Sequence, residues 1–147
     1  MIRLSAFVDL PGPVEDVFRW LDQPERVAAL NPLPTRVVEC RRVSNGGWFV
    51  RMDVDDEKGT HELVGESVEY QPPVRTVTRS LIRGRYPVVT ARTLTTTEGG
   101  TRVTLEASYS VPVRFPWVDR LYERRWKALG QKALDKTLAR WASTYPD

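Results

Sequence analysis

The chain is poor in the residues that build disulfides and metal centres. Its 147 residues include one cysteine, Cys40, and one histidine, His61. One cysteine excludes an internal disulfide, and one histidine excludes a histidine-rich metal site. The spacings typical of metal ligands, phosphate-binding loops and nucleophilic serine turns are also missing. We therefore expect no metal, nucleotide or other cofactor.

Long apolar runs are missing as well. No stretch approaches the roughly 18 to 20 apolar residues that a membrane-spanning helix needs. The opening segment, MIRLSAFVDL, lacks the apolar centre of a secretory signal peptide. These absences predict a cytoplasmic, reduced protein without an integral membrane segment.

The chain has little excess charge of either sign. It carries 22 Lys and Arg against 19 Asp and Glu, a formal net charge of +3. The arginines concentrated between Val74 and Leu94 are not interleaved with aromatic residues, as a nucleic-acid platform would require. We therefore expect no nucleic-acid partner. Basic residues near a cavity would attract an anionic headgroup or an acidic partner, and the alternative is a solvated charged surface.

What is present fits one folded unit. A length of 147 residues, with 41% hydrophobic and 28% charged residues, is ordinary for a globular domain. No repeat, linker or low-complexity tract divides the chain. We predict a single ligand-binding domain over residues 1–147, either a monomer or a homodimer.

The apolar pattern predicts the order of elements in the first part of the chain. Residues 2–10 alternate loosely, as in a strand, and Pro11–Pro13 end it. Helical spacing follows from Val14 to Leu21. Asp22 and Glu25 resemble a capping box that opens a second short helix. Short segments rich in Val and Thr then follow, separated by turns that allow only antiparallel pairing.

A long helix is predicted at the end of the chain. From about Trp117 to Ser143 the apolar residues change to helical spacing, over a length of about 40 Å. The apolar stripe shifts at Gly130, which predicts either a bend or two halves that bury different faces. The predicted fold class is α+β, in the order β-α-α-β6-α, with a curved seven-stranded antiparallel sheet wrapped on the long helix.

Three segments of the chain carry a family pattern. Residues 8–26, VDLPGPVEDVFRWLDQPER, combine a strand, a proline-rich turn and a V-x-x-V-F-x-x-L helix. Residues 68–75 read VEYQPPVR, and residues 99–104 read GGTRVT. In this order the segments resemble the START/Bet v 1-like (SRPBCC) superfamily, in its polyketide cyclase/dehydratase-like branch. The resemblance covers nearly the whole chain and implies the helix-grip fold.

The resemblance also implies a hydrophobic cavity between the sheet and the C-terminal helix, entered through loops near the start of that helix. Members bind lipids, sterols, polyketides, quinones or hormones, and a minority are enzymes. Our leading interpretation is binding of a hydrophobic or amphipathic small molecule of the lipid, polyketide or quinone class. The alternatives are a polyketide cyclase/dehydratase, which would be lyase-type without metal or nucleotide, and a coenzyme Q-associated or protein-partner module.

Strand alternation selects candidate residues for the cavity wall. Trp48, Val50 and Met52 share one face of the third predicted strand, and Leu105 and Tyr109 share one face of the last. These side chains either line a cavity or fill the core, since both uses are common for aromatic residues and methionine. Tyr109 is informative because a buried phenol needs a hydrogen-bond partner, which a ligand could supply.

Ionisable residues on the fourth and fifth predicted strands are candidate acids and bases. Period two places His61 on one face and Glu62 with Glu66 on the other, and Arg79 lies on the next strand. Turned into an apolar cavity, such groups could move protons, and the alternative is an exposed sheet surface. Two ionisable groups converging in the cavity would favour an enzyme. An interior with only Tyr109 and apolar groups would favour a binding protein.

The cyclase alternative meets one difficulty in the sequence. Aromatic polyketide cyclases carry inward hydroxyl and guanidinium groups on the strand that begins with tryptophan, where this chain has Val50 and Met52. Apolar residues on loops, among them Tyr86 and Trp117, are predicted to line the cavity entrance. The full set of predicted ligand-binding residues is Trp48, Val50, Met52, Arg79, Tyr86, Leu105, Tyr109, Trp117, Tyr122 and Trp126. No catalytic residue is assigned.

Overall fold

A seven-stranded antiparallel sheet forms the body of the protein. The computed structural model describes the backbone of residues 1–110 and 116–146, and the side chains of 1–110 and 122–146. The elements are β1 Ile2–Leu10, α1 Val14–Leu21, α2 Pro24–Ala29, β2 Thr35–Arg42, β3 Trp48–Asp56, β4 Gly59–Gln71, β5 Arg75–Ile82, β6 Tyr86–Thr97, β7 Gly100–Tyr109 and α3 Pro116–Thr144. The order across the sheet is β1-β7-β6-β5-β4-β3-β2, which confirms the predicted α+β fold.

The strand register shows which side chains share a face of the sheet. Leu4 on β1 stands opposite Ala107 on β7, and Ala107 stands opposite Thr90 on β6. Thr90 in turn is opposite Thr78 on β5, and Thr78 is opposite Ser67 on β4. Directly paired residues of an antiparallel sheet point to the same side, so these five side chains lie on one face. Leu4 belongs to the buried core, and we call this the inner face.

The helices cover the inner face unevenly. α3 packs along β1, α1 crosses β6 and β7, and α2 lies over β2 and β3. The buried core therefore concentrates where α1, the end of α3 and the strands β1, β6 and β7 meet. Its helical members are Val17, Phe18, Leu21, Leu134, Leu138 and Trp141.

Within the described part of α3, burial differs on the two sides of Gly130, where the sequence predicted either a bend or two halves that bury different faces. Trp141 is 2% exposed in the second half, whereas Trp126 in the first half is 45% exposed. The helix continues through Gly130, where an added Cβ would meet the hydroxyl of Tyr109 and a methyl group of Leu4. Glycine is required there because helix and sheet approach closely. Within the described ranges, no helix combines the length and apolarity needed to cross a bilayer.

Candidate functional site

A cavity of about 130 Å³ lies between the inner face and the junction of α1 with α2. The junction covers it with Leu21, Pro24 and Val27, and strands β3 to β6 form the opposite wall. The prediction of a cavity between the sheet and the C-terminal helix stays a prediction, because residues 111–115 and the side chains of 116–121 lie outside the described part of the chain. None of the described side chains of α3 lines this cavity. The helix packs along β1, which is the edge strand at the other end of the sheet from β2 and β3. The volume is similar to that of engineered cavities of about 150 Å³ that admit benzene.

One wall of the cavity is polar. Thr76, Thr78 and Ser80 occupy alternate positions of β5 and line the cavity. Ser67 on β4 stands opposite Thr78, and Arg92 on β6 stands opposite Thr76. We call these five residues the polar band. The cyclase pattern places inward hydroxyl and guanidinium groups on β3, where this chain has none. The inward hydroxyl and guanidinium groups lie on β4, β5 and β6 instead, and the alternation in T-V-T-R-S at residues 76–80 was the signal in the sequence that could have revealed those on β5.

Arg92 lacks a counter-charge in direct contact. Its Nε is buried without a hydrogen-bond partner among the described residues, and no described carboxylate lies within ion-pair distance. Thr76, which is 7% exposed, has an Oγ1 in the same condition. Burial lowers the pKa of Arg92, while the Asp22 carboxylate and the Tyr70 hydroxyl raise it. Arginine side chains are not deprotonated in proteins, so the guanidinium stays charged at neutral pH.

Asp22 is the acidic group of the cavity. Its carboxylate accepts hydrogen bonds from the Tyr70 hydroxyl at 2.6 Å and from Trp48 Nε1 at 3.1 Å. Arg42 Nη1 lies 3.3 Å from Oδ2, and its guanidinium stacks 4.0 Å from the centre of the Trp48 ring. The Asp22 side chain is 11% exposed. The network ties the end of α1 to β2, β3 and β4 and places one carboxylate beside the polar band.

The predicted capping role of Asp22 is wrong. The residue that precedes α2 is Gln23, and it makes no side-chain capping hydrogen bond. Pro24 occupies the first position of α2 and has no backbone N–H, so the helix start has one donor fewer to satisfy. Asp22 instead ends α1, where its backbone N–H donates to the Phe18 carbonyl, and its side chain is free to turn toward the sheet.

Tyr70 gives this network a defined pH dependence. Burial and the hydrogen bond to Asp22 raise the pKa of Tyr70 above its ordinary value, and Arg42 opposes the shift. The folded state therefore holds the phenolic proton more tightly than the unfolded state. The stability gained in this way is complete below about pH 10 and declines as pH rises through the folded pKa.

We expect Tyr70→Phe to cost about 2 kcal/mol of unfolding free energy at pH 8, because the Asp22 carboxylate loses a charge-assisted hydrogen bond. The difference from wild type should narrow at pH 11, above the ordinary pKa of tyrosine, where the phenol of the unfolded wild-type chain ionises. Urea unfolding at the two pH values measures both effects. Tyr122→Phe, at an exposed site, is the control and should match wild type throughout. A difference that does not change between pH 8 and pH 11 would contradict the assigned role of the phenol.

Three of the predicted ligand-binding residues line the cavity, namely Trp48, Val50 and Met52. The Trp48 ring lines the cavity, and its Nε1 also donates a hydrogen bond to the Asp22 carboxylate. Leu105 lies in the core on β7, opposite Arg92. The apolar part of the wall is completed by Leu63 on β4.

The remaining aromatic candidates lie elsewhere. The Tyr109 hydroxyl donates to the backbone carbonyl of Trp126 at 3.0 Å, so the protein itself supplies the partner that the buried phenol needs. Tyr122 and Trp126 are exposed on α3, and Tyr86 is at the start of β6, opposite Ile82 and away from the cavity. The side chain of Trp117 lies outside the described residues.

Arg79 does not line the cavity. Its neighbours Thr78 and Ser80 do, and because side chains alternate along a strand, Arg79 is exposed on the outer face. There it stands opposite Glu66 on β4 and Val89 on β6. Arg92 takes the inward guanidinium position instead.

The candidate acids and bases divide between the two faces of the sheet. Glu62 shares the outer face with Glu66, whereas His61 stands opposite Val54 on the inner face. Its Nδ1 lies 3.1 Å from Asp56 Oδ2, at the β3–β4 hairpin and outside the cavity lining. These groups therefore do not converge in the cavity.

The curved antiparallel sheet, the two short helices after its first strand and the long C-terminal helix define a helix-grip protein. Residues 1–142 match the family model for polyketide cyclase / dehydrase and lipid transport proteins. The chain belongs to this family, which confirms the resemblance seen in the sequence.

Several solved structures share the fold. Protein CV1439 from Chromobacterium violaceum is similar over 100% of both chains, with a TM-score of 0.77 and 18% identity. Protein Ms6760 from Mycobacterium smegmatis has a TM-score of 0.73 and 14% identity, over 99% of this chain and 91% of its own. DynU16, a protein in the dynemicin biosynthetic locus, has a TM-score of 0.61 and 20% identity, over 98% of this chain and 48% of its own. A search of proteins with curated functions gave no match.

Proposed function

We propose that the protein binds a hydrophobic or amphipathic small molecule in the cavity between the inner face and the α1–α2 junction. The observation that carries the proposal is an apolar part of the sheet wall, with Val50, Met52 and Leu63, beside a polar band in the same cavity. Apolar lining supplies affinity, and a few convergent polar groups orient a ligand. The family description, with its lipids and polyketides, supports a ligand of one of these classes, and a quinone has the same character.

The first half of α3 offers a continuation of the binding surface. Tyr122, Trp126 and Leu129 recur at helical spacing and are 47%, 45% and 51% exposed. They adjoin Gly130, which contacts Tyr109 on the inner face. A ligand longer than the enclosed cavity could extend along the inner face to this stripe. This keeps Tyr122 and Trp126 as ligand-binding candidates.

Native mass spectrometry of the gently purified protein tests the proposal. We expect a discrete added mass that extracts as a lipid, polyketide or quinone. In Val50→Trp the indole would occupy the cavity, so the bound fraction should fall by about tenfold or more. Val89→Trp, on the outer face, is the matched control and should retain the added mass.

A ligand lost during purification can be replaced by a probe. The neutral bicyclic compound 2-naphthamide should bind to wild type and Val89→Trp, and should lose measurable binding to Val50→Trp in calorimetric titration. Equal binding by both tryptophan variants would contradict a role for this cavity. So would a wild-type protein that neither carries a ligand nor binds the probe.

An enzyme of the cyclase/dehydratase type is the second candidate, and one observation favours it. Asp22 and Arg92 both line the cavity, which meets the criterion of two convergent ionisable groups. In such a reaction Asp22 would accept a proton from the carbon beside a ketone, and Arg92 would hold the enolate oxygen. The enolate carbon would then bond to a second carbonyl carbon, whose oxygen would take up a proton.

The hydrogen bonding of Asp22 ranks binding ahead of catalysis. Both carboxylate oxygens already accept hydrogen bonds from Tyr70, Trp48 and Arg42, which leaves little room for either oxygen to approach a substrate C–H. Incubation with a synthetic linear poly-ketone distinguishes the two functions. An enzyme would yield a cyclised product that Asp22→Asn does not form, whereas a binding protein would return the compound unchanged.

A further inference from the structure

We propose that the polar band is an anion site, in which Arg92 and Thr76 bind one ionised oxygen acid of the ligand, a carboxylate or a phenolate. The inference rests on the proposed function, because it describes the end of a ligand held in the same cavity. It adds the charge of that ligand, which neither the family nor the fold specifies.

The placement of the two residues supports this site. Thr76 on β5 and Arg92 on β6 are direct partners in the strand register, so the hydroxyl and the guanidinium lie side by side on the inner face. Both residues line the cavity. Thr76 Oγ1 and Arg92 Nε are buried and have no hydrogen-bond partner among the described residues. Protein atoms enclose both groups in this structure, so the two side chains would turn toward the cavity to donate to an oxygen anion held there.

The charge balance of the cavity favours an anion over a neutral acceptor. Arg42 and Arg92 are two cations beside the single carboxylate of Asp22, which leaves one positive charge. Asp22 does not neutralise Arg92 by contact, since its oxygens are held by Tyr70, Trp48 and Arg42. The charge of Arg42 is compensated, because Arg42 is 51% exposed to water and pairs with Asp22. The positive charge that has no compensation is therefore that of Arg92. Arg92 is half-buried and its Nε is enclosed by protein. A cation partly withdrawn from water without a partner carries a cost, and a monoanionic ligand reduces that cost.

A pair of probes with the same rings and different charge tests the site. 2-Naphthoate carries a carboxylate, and 2-naphthamide is its neutral counterpart of nearly equal shape. In calorimetric titration at pH 7.5 and low salt, we expect wild type to bind naphthoate about tenfold more tightly than naphthamide.

Three substitutions locate the preference. In Arg92→Met naphthoate should weaken about tenfold or more, while naphthamide stays within about twofold. Thr76→Val removes one hydroxyl and should weaken naphthoate by a smaller factor, about threefold. Arg79→Met removes an exposed arginine from the outer face, and both probes should bind it as they bind wild type. Arg92→Met retains an unbranched stem and deletes an unpaired charge, and its circular dichroism spectrum should match wild type.

The outcomes separate this inference from the function on which it rests. If neither probe binds wild type, the cavity is not a ligand site and both proposals fail. If naphthamide binds as tightly as naphthoate, the cavity is still a ligand site but the anion site is overturned. The polar band would then bind a neutral hydrogen-bond acceptor as well as an anion. The same conclusion follows if Arg92→Met keeps the preference. Arg92→Lys retains the positive charge, so it should keep part of the preference for naphthoate over naphthamide. If it loses the whole preference, the preference depends on the shape of the arginine side chain and not on its charge.

Discussion

Asp22→Ala is expected to lower the free energy of unfolding by about 3 to 5 kcal/mol. The carboxylate is 11% exposed and accepts from the Tyr70 hydroxyl at 2.6 Å and from Trp48 Nε1 at 3.1 Å. Alanine leaves both donors without an acceptor, at about 1 to 3 kcal/mol each. It also removes the counter-charge of Arg42 and the nearest negative charge to Arg92. The effect is large because one small side chain connects α1 to three strands.

Asp16→Ala is the matched control for this substitution. Asp16 belongs to the same helix and pairs with Arg19 at 3.7 Å, but the two side chains are 55% and 77% exposed. Exposed ion pairs contribute little, so the change should stay within about 0.5 kcal/mol. Urea unfolding of both variants measures the difference. If the two substitutions cost the same, the Asp22 network does not stabilise the cavity wall.

Trp141→Ala is expected to cost about 3 to 5 kcal/mol of unfolding free energy. Trp141 is 2% exposed and packs in the core cluster with Leu134 and Leu138, which are the other buried anchors of α3. Its removal leaves a cavity where the helix meets β1, and neighbouring side chains can fill that space only in part. Among the described side chains of α3, the buried apolar contacts therefore come from its second half.

Trp126→Ala, in the first half of the same helix, should cost less than about 1 kcal/mol. Its side chain is 45% exposed, and only its backbone carbonyl is engaged, by Tyr109. Thermal and urea unfolding of the two tryptophan variants gives the comparison. A cost for Trp126→Ala equal to that of Trp141→Ala would place the first half of α3 in the core. It would then not be available to extend the ligand site.

The order of elements could be predicted from the sequence because its signals are local. The sequence predicts a helix that begins at Pro13 and continues through Leu21, and the observed helix is Val14–Leu21, with Pro13 just before it. The turns between strands are too short for crossover connections, and this leaves an antiparallel meander as the only arrangement. The shift at Gly130 likewise marked the boundary between the exposed and buried halves of α3.

The position of the cavity could not be read in the same way. A long helix on a curved sheet predicts a space between them, whereas the described cavity lies under the α1–α2 junction, which no spacing in the sequence indicated. Asp22 shows the same limit. Its spacing to Glu25 satisfies a local capping pattern, yet its partners Trp48 and Tyr70 lie 26 and 48 residues away along the chain.

By itself, the sequence determined the fold class, the family and the alternation of side chains along each strand. Alternation separates Thr76 and Thr78 from Arg79 on β5, but it does not say which set points toward the helices. That choice depends on pairing across the sheet from the buried Leu4 to Ser67, and each pairing joins residues distant in the chain. Tertiary structure alone therefore decided that Arg92, rather than Arg79, is the arginine of the cavity. A shift of one residue in register would exchange the two faces of the strand.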